Sequence, residues 1–325
     1  MSTNTTSVWR KKLKELEIVV VIPTYNNGKT LAAVIEEVCR YADDIIVVND
    51  GSTDDTANIL EQYPAIRTIT HPVNKGKGTA LKHGLSQAKK EGFRYAITID
   101  SDGQHFASDI PCFIEAIEKE PDTLLVGARN LASDNMPGKN TFANKFSNFW
   151  FRLETGLKLE DTQSGYRLYP LRKMDVQSCW YTAKYEFELE AIVFAAWGDV
   201  AVKNISIHVY YPPQAERVSH FRPFRDFTRI SVLNTVLVLI TCLWIVPRNL
   251  LRKLSWSNCK RFFTDHVLNT RESNLKIVLA IMLGIFMGIV PLWGYQMLIT
   301  LFLAHLFRLC LLYTSDAADE ARSVD

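Results

Sequence analysis

Short apolar runs recur along the first two-thirds of the chain, each stopped by a cluster of polar and turn-forming residues, with stretches of helical periodicity between them. Residues 17–22 (EIVVVI) read as a buried strand, followed by the turn PTYNNGK and an apolar-periodic helix through about residue 41. DIIVVND predicts a second strand, STDDTANILEQY a helix with hydroxyl residues near its start, and AIRTIT a third strand. KGTALKHGLSQAKKEG predicts the next helix, RYAITID a fourth strand, residues 107–119 a helix and TLLVGA a further strand. Strands alternating with helices of about 10 to 15 residues imply an α/β fold with a parallel sheet covered on both faces. In such sheets ligands bind outside the carboxyl ends of the strands. PTYNN, NDGSTD, DSDGQH and GARN each begin where an apolar run stops, which puts four polar loops on one edge.

The pattern loosens over residues 135–156, returns at DTQSGYRLYP, and continues into a helix at 185–197 and a strand at 200–209. A Pro-Pro break and a basic aromatic segment, ERVSHFRPFRDFTRI, follow. Beyond it the chain changes character: residues 230–247 carry no charge, and neither do the 31 residues 277–307, apart from the titratable His305. The first run lies at the lower limit of membrane-spanning length. It is flanked by Arg222, Arg225 and Arg229 on one side and by Arg248, Arg252 and Lys253 on the other. Basic residues at both ends make an interfacial helix compete with a span. The second run, with Gly284, Gly288, Pro291 and Gly294 at its centre, reads as one kinked span or a re-entrant hairpin, with a buried helix pair as the alternative. The final CLLYTSDAADEARSVD turns abruptly polar and reads as foreign sequence on a naturally longer chain. The expected organisation is an N-terminal extension (1–16), an α/β domain (17–229), an interfacial or spanning helix with a basic linker (230–273), a membrane segment (274–310) and a non-native tail (311–325).

Composition adds bounds rather than function. With 47% hydrophobic and 22% charged residues, the 325-residue chain has ordinary globular usage, and a net charge of +2 gives no argument for a nucleic-acid partner. Six cysteines are scattered without a C-x-x-C pair or a Cys/His cluster, which reads as reduced, mostly buried thiols of a cytoplasm-facing protein. The stretch MSTNTTSVWRKKLKELE has no apolar signal core.

Candidate chemistry centres on Asp100 and Asp102 at the end of RYAITID. Placed at i and i+2 of an extended strand end, both side chains project to the same side, where they suit Mg²⁺ or Mn²⁺ with a substrate diphosphate. The plain alternative is a solvated turn. Asp50 or Asn49 is placed to take a base edge, with Gly51 allowing close backbone approach; turn and N-cap roles for Asp50, Ser52 and Asp54 compete. In DTQSGYR, Asp161 is the candidate general base for a hydroxyl acceptor, or a residue that orients its loop. Arg167 suits bidentate oxyanion recognition. The Arg/Phe alternation over residues 217–229 fits docking at a lipid headgroup layer, with a solvated amphipathic helix as the alternative.

VVIPTYNN, VVNDGSTDDT, NKGKGTAL, DSDGQH and DTQSGYR, in this order and spacing, resemble the family 2 glycosyltransferases with the GT-A fold, and among them the dolichyl- or polyprenyl-phosphate sugar synthases. The resemblance covers about residues 17–230. It implies a nucleotide-sugar donor with Pro23, Tyr25 and Asn27 around the nucleoside, and Asn49 and Asp50 near the base. Lys77, Arg129 and Arg217 would lie against its phosphates, and Asp100, Asp102 and Gln104 at a Mg²⁺ or Mn²⁺. Asn27 departs from the pattern, since these synthases often carry Glu there. The apolar stretch from about residue 274 resembles the DUF2062 membrane domain, cut short. The implied activity is inverting sugar transfer to a lipid phosphate on the cytoplasmic face of the plasma membrane. A hydroxyl acceptor on a glycan or glycolipid is one alternative, and a non-catalytic membrane scaffold the other.

Overall fold

A computed structural model describes residues 3–129, 138–175, 182–210 and 223–253, together with position 282. Helix α1 (Thr3–Glu15) precedes strand β1 (Ile18–Thr24), and strands and helices then alternate through α2 (Gly28–Cys39), β2 (Ile45–Asn49), α3 (Thr56–Glu61), β3 (Arg67–Thr70), α4 (Lys77–Lys90) and β4 (Tyr95–Thr98). After these come α5 (Ile110–Lys119), β5 (Leu124–Arg129), α6 (Gly138–Thr155), β6 (Arg167–Pro170), α7 (Glu186–Trp197) and β7 (Val202–Ile207). Helix α8 (Pro223–Ile240) passes through a π-helical turn (Thr241–Ile245) into α9 (Val246–Lys253). The chain divides into two compact units, Met1–Ile245 and Val246–Asp325.

The seven strands lie in the order β3-β2-β1-β4-β6-β5-β7. Ile18, Val20 and Ile22 of β1 pack with α1, α2 and α5, while Val19 and Val21 pack with α4, α6, α7 and α8. A strand buried on both faces has no polar side to show, which is why EIVVVI reads as continuous apolar sequence. Val20 sits opposite Ile45 of β2 and Ile97 of β4, so β1 and β4 are the centre of the sheet. From β1 the chain moves outward through β2 to β3, then returns to the other side of β1 as β4. This reversal creates a switch point, with the loops after β1, β2 and β4 leaving the same sheet edge.

Three features differ from the sequence reading. β6 runs antiparallel to both β4 and β5, so the sheet is mixed, though mostly parallel. The loosened region contains the 18-residue helix α6. Among the described residues Cys112 and Cys242 are exposed, where buried thiols were expected. The N-terminal extension is a helix whose Leu13 is buried with the α2 and α5 side of the core. A helix long and apolar enough to cross a membrane runs Asp226–Asn249. Arg217, the apolar run 277–307 apart from position 282, and the tail 311–325 lie outside the described residues.

Candidate active site

The loops after β1 and β2 hold each other. Asn26, in the left-handed region at φ 51, donates its N–H to Ser52 Oγ (3.0 Å) and accepts at Oδ1 from the Thr53 N–H (2.8 Å). Asp54 accepts from the Gly28 N–H (2.9 Å) and the Thr56 N–H (3.1 Å), at the starts of α2 and α3. Burial opposes its ionisation, yet the Thr56 and Gly28 donors outweigh burial and hold its carboxyl below the usual range. Asn49 Oδ1 accepts from the Ser52 N–H (2.9 Å), which closes the turn. Tyr25 is half-buried at the loop's start, and Asn27 reaches across to donate to Ser101 Oγ (2.9 Å). Pro23, expected beside the nucleoside, is instead buried within β1 opposite Val48.

Asp50 is also placed differently from the base contact expected of it. Its carboxylate is buried, with Oδ1 accepting from the Lys75 N–H (2.9 Å) and lying 2.7 Å from His71 Nδ1, while Oδ2 accepts from the Gly76 N–H (2.7 Å). His71 Nε2 lies 2.7 Å from His83 Nδ1. Burial, then the neighbouring His71, holds the His83 ring below the usual histidine pKa. Asp50 is thus an anchor for the segment that leads into α4. Gly51 (φ +70) completes the fit, because a Cβ there would lie 2.4 Å from the Val73 carbonyl carbon.

That anchored segment delivers Lys77, the first residue of α4, to the end of β4. Lys77 Nζ lies 2.8 Å and 2.9 Å from the two oxygens of Asp100 and 3.2 Å from Glu188 Oε2 on α7. Burial works against the ammonium, but Asp100 and Glu188 raise its pKa above the ordinary lysine value. Burial likewise opposes ionisation of Asp100, and the Lys77 ammonium outweighs it, so its carboxyl is held low. Asp102 has no such partner. Burial and the charge on Asp100 push its carboxyl up to about 6, although its Oδ1 accepts from the Gln104 N–H (3.0 Å). His105 is buried against Tyr166, and burial pushes its ring down to about 4, keeping it neutral.

The DTQSGYR loop closes the site from the β6 side. Asp161, at 0% exposure, accepts from Arg129 Nε (2.5 Å) and Nη2 (3.0 Å) and from the Gln163 N–H (2.9 Å). Arg167, also at 0%, donates from Nε to the Ser164 carbonyl (2.7 Å), from Nη2 to the Thr162 carbonyl (2.9 Å) and from Nη1 to the Glu188 carbonyl. Its guanidinium is committed to backbone, unlike the oxyanion clamp expected from sequence. It stiffens the loop that presents Gly165, whose missing side chain is required: a Cβ would lie 2.6 Å from Asp100 Oδ2.

Asp100, Asp102 and Lys77 are therefore brought together, with Asn27 adjoining through Ser101. Arg129 and Asp161 pair with each other. Glu188 was not singled out from sequence; its signal was a set of three glutamates, Glu186, Glu188 and Glu190, spaced so that no single helix face accommodates all of them. Among the described residues no group of three or more His, Cys, Asp or Glu side chains is arranged to hold a metal. Two carboxylates nevertheless suit Mg²⁺ or Mn²⁺, which are commonly bound by one or two carboxylates plus substrate phosphates. Asp102 lies close enough to Asp100 to feel its charge, and on the chemistry of this all-oxygen pair the donor set fits the cation.

Residues 19–175 match the family model described as Glycosyl transferase family 2. A UDP-N-acetylglucosamine–dolichyl-phosphate N-acetylglucosaminyltransferase of Methanococcus voltae is 29% identical over 240 residues, covering 67% of this chain and 96% of that one. A polyprenol monophosphomannose synthase of Mycolicibacterium smegmatis is 27% identical over 172 residues, covering 49% of this chain and 64% of that one. Among solved structures, glucosyl-3-phosphoglycerate synthase from Mycobacterium tuberculosis, in complex with Mn²⁺, uridine diphosphate and phosphoglyceric acid, superposes with a TM-score of 0.53 at 21% identity. The match covers 73% of this chain and 82% of that one and bears on the fold alone.

Proposed function

From a chain that carries a glycosyl transferase family 2 domain, and is a glycosyltransferase, we propose transfer of a sugar from a nucleotide-diphosphate donor to a polyprenyl-type phosphate, with inversion at the anomeric carbon. The observation that carries the choice of acceptor is the condition of Asp161. A hydroxyl acceptor needs a positioned base. The candidate base is fully buried, with its oxygens accepting from the Arg129 guanidinium and the Gln163 N–H. A phosphate monoester, with a second pKa of about 6, is already an anion at neutral pH and needs no base. Its oxygen attacks the anomeric carbon from the side opposite the leaving group. The bond to the diphosphate oxygen breaks as the new C–O bond forms.

In this reading Asp100 and Asp102 hold Mg²⁺ or Mn²⁺, which supplies positive charge to the departing diphosphate. Lys77 lies beside Asp100 with its ammonium directed at the same carboxylate. The loops after β1 and β2, tied through Asn26, Ser52 and Thr53, form the floor on which the nucleoside lies.

Helix α8 supports a membrane-bound acceptor. Ile230, Leu233, Leu237 and Ile240 pack on the core, while Val232, Val236, Leu239 and Leu243 with Trp244 form an exposed apolar stripe on the other side of the same helical run. A helix apolar on both faces suits a lipid surface, and we place the catalytic domain on the cytoplasmic face, where the donor is.

The test incubates the full chain, in vesicles containing a short polyprenyl phosphate, with a panel of radiolabelled nucleotide sugars, with and without Mn²⁺ and with Asp102→Asn as control. The expected result is a metal-dependent, acid-labile lipid product absent from the variant. Label entering only hydroxyl-bearing glycans or glycolipids would overturn the acceptor assignment.

A further inference from the structure

Two carboxylates, Asp100 and Glu188, meet one ammonium at the end of β4, and the second of them is not assigned by any motif. Glu188 comes from α7. Its residue is 6% exposed, its Oε2 lies 3.2 Å from Lys77 Nζ, and its Oε1 is buried without a hydrogen-bond partner. That unpartnered oxygen is aimed into the site. The position of a Cβ on Gly165 would be 3.0 Å from it, 2.6 Å from Asp100 Oδ2 and 2.8 Å from Lys77 Nζ, so the three charged groups surround one point. Lys77 stands closer to Asp100 than to Glu188, at 2.8 Å against 3.2 Å.

We propose that Lys77 is a built-in counter-cation that occupies Asp100 until a divalent cation arrives, and that Glu188 is the positioning residue that then retains the ammonium at the site. The inference rests on the reading above that Asp100 and Asp102 receive the cation. Its physical basis is competition. An ammonium within 3 Å of Asp100 repels a divalent cation at the same carboxylate, and in a low-dielectric site that repulsion is large. Leaving the buried lysine without a partner is costly as well, so its release from Asp100 requires another carboxylate within reach. Glu188 supplies it without a change of helix position, because its second oxygen is still unsatisfied. Held there, the ammonium stays beside the place where a diphosphate meets the cation and adds a second positive charge to it.

Mn²⁺ binding to the nucleotide-free full chain, followed by the loss of the free-Mn²⁺ electron paramagnetic resonance signal, tests this without turnover. Lys77→Met removes the competitor with little change of side-chain length and is expected to tighten Mn²⁺ by at least about tenfold. Glu188→Gln confines the ammonium to Asp100 and is expected to weaken Mn²⁺ by about threefold or more. Mn²⁺ affinity that is unchanged or weaker in Lys77→Met overturns the proposal. If circular dichroism shows that Lys77→Met does not fold, Glu188→Gln decides, and an unchanged or tighter affinity there overturns it. Asp102→Asn separates the two readings. Wild-type affinity in that variant defeats the metal assignment itself. Loss of binding in Asp102→Asn, with Lys77→Met and Glu188→Gln unmoved, defeats only the counter-cation.

Discussion

Arg167→Met distinguishes a loop brace from an anion clamp. The guanidinium is fully buried and donates to three carbonyls, those of Thr162, Ser164 and Glu188. Methionine keeps most of the stem and supplies no donor. The Thr162 and Ser164 carbonyls left unpaired, at about 1–3 kcal/mol each, offset in part by no longer burying a charge, give an expected loss of roughly 2–4 kcal/mol; the Glu188 carbonyl, in the first turn of α7, keeps its intrahelical donor. In a domain of this size each kcal/mol moves the melting temperature by about 2–4 °C, so the variant should melt roughly 5–15 °C lower. Arg167→Lys should recover little, since one ammonium cannot reach three carbonyls in the fork geometry. The assay is thermal unfolding of the detergent-solubilised full chain by near-ultraviolet circular dichroism, with a nucleoside diphosphate titration on each variant at a temperature where it is folded. A methionine variant that melts within about 2 °C of the wild type yet loses tenfold or more in nucleotide affinity would refute the brace and restore the clamp.

Other expectations follow from groups whose charge state the fold perturbs. Burial pushes the Glu154 carboxyl up to about 8, and neither oxygen has a hydrogen-bond partner. The folded state therefore holds a proton that the unfolded state releases above about pH 4.5. Stability falls between about pH 4.5 and 8 and is flat beyond. Glu154→Gln should lack this fall, and its stability relative to wild type should rise through that window by up to roughly 4 kcal/mol, read from urea midpoints at several pH values. With its carboxyl at about 6, Asp102 protonates on mild acidification, so apparent Mn²⁺ affinity should drop as pH falls below that value, by up to about tenfold per pH unit. A titration flat between pH 7 and 5 would contradict it. Asp161→Asn leaves the Arg129 guanidinium without its buried counter-charge. It should cost about 3–5 kcal/mol in urea unfolding while transfer to a lipid phosphate persists in the folded fraction. A fully stable but inactive variant would favour Asp161 as a base.

The strands at the centre of the sheet were legible because β1, β2 and β4 are buried on both faces and leave unbroken apolar runs. The three loops at their carboxyl ends were legible for the same reason, since each run stops abruptly at polar residues. Helix α6 was obscured by its Gly, Asn and Thr content, residues with weak helix propensity, although Phe146, Trp150 and Leu153 keep a helical spacing. The direction of β6 was not legible, because alternation of side chains has a period but no sign. Arg167 was misjudged on the assumption that a charged side chain in a motif faces ligand or water, and Glu188, in no motif, was passed over. Both are buried, Glu188 beside a lysine and Arg167 among carbonyls, and burial of charge is decided by partners that are distant in sequence.

Those distant partners also explain why the motif set is specific while most of its members are not chemically free. Asp50 fixes the segment that carries Lys77 into place, Arg167 fixes the loop that carries Gly165, and Asp161 pairs with Arg129 at the end of β5. Each of these would be needed for any ligand that required Lys77, Asp100 and Asp102 at fixed positions, whatever its chemistry. What remains for chemistry is a small set in which one ammonium, Lys77, faces the carboxylates of Asp100 and Glu188 with Asp102 close by, so that the described groups are short of positive charge. A site of that kind suits the proposed transfer, in which the chain contributes positioning, a bound cation would supply charge to the leaving diphosphate, and a phosphate acceptor brings its own negative oxygen.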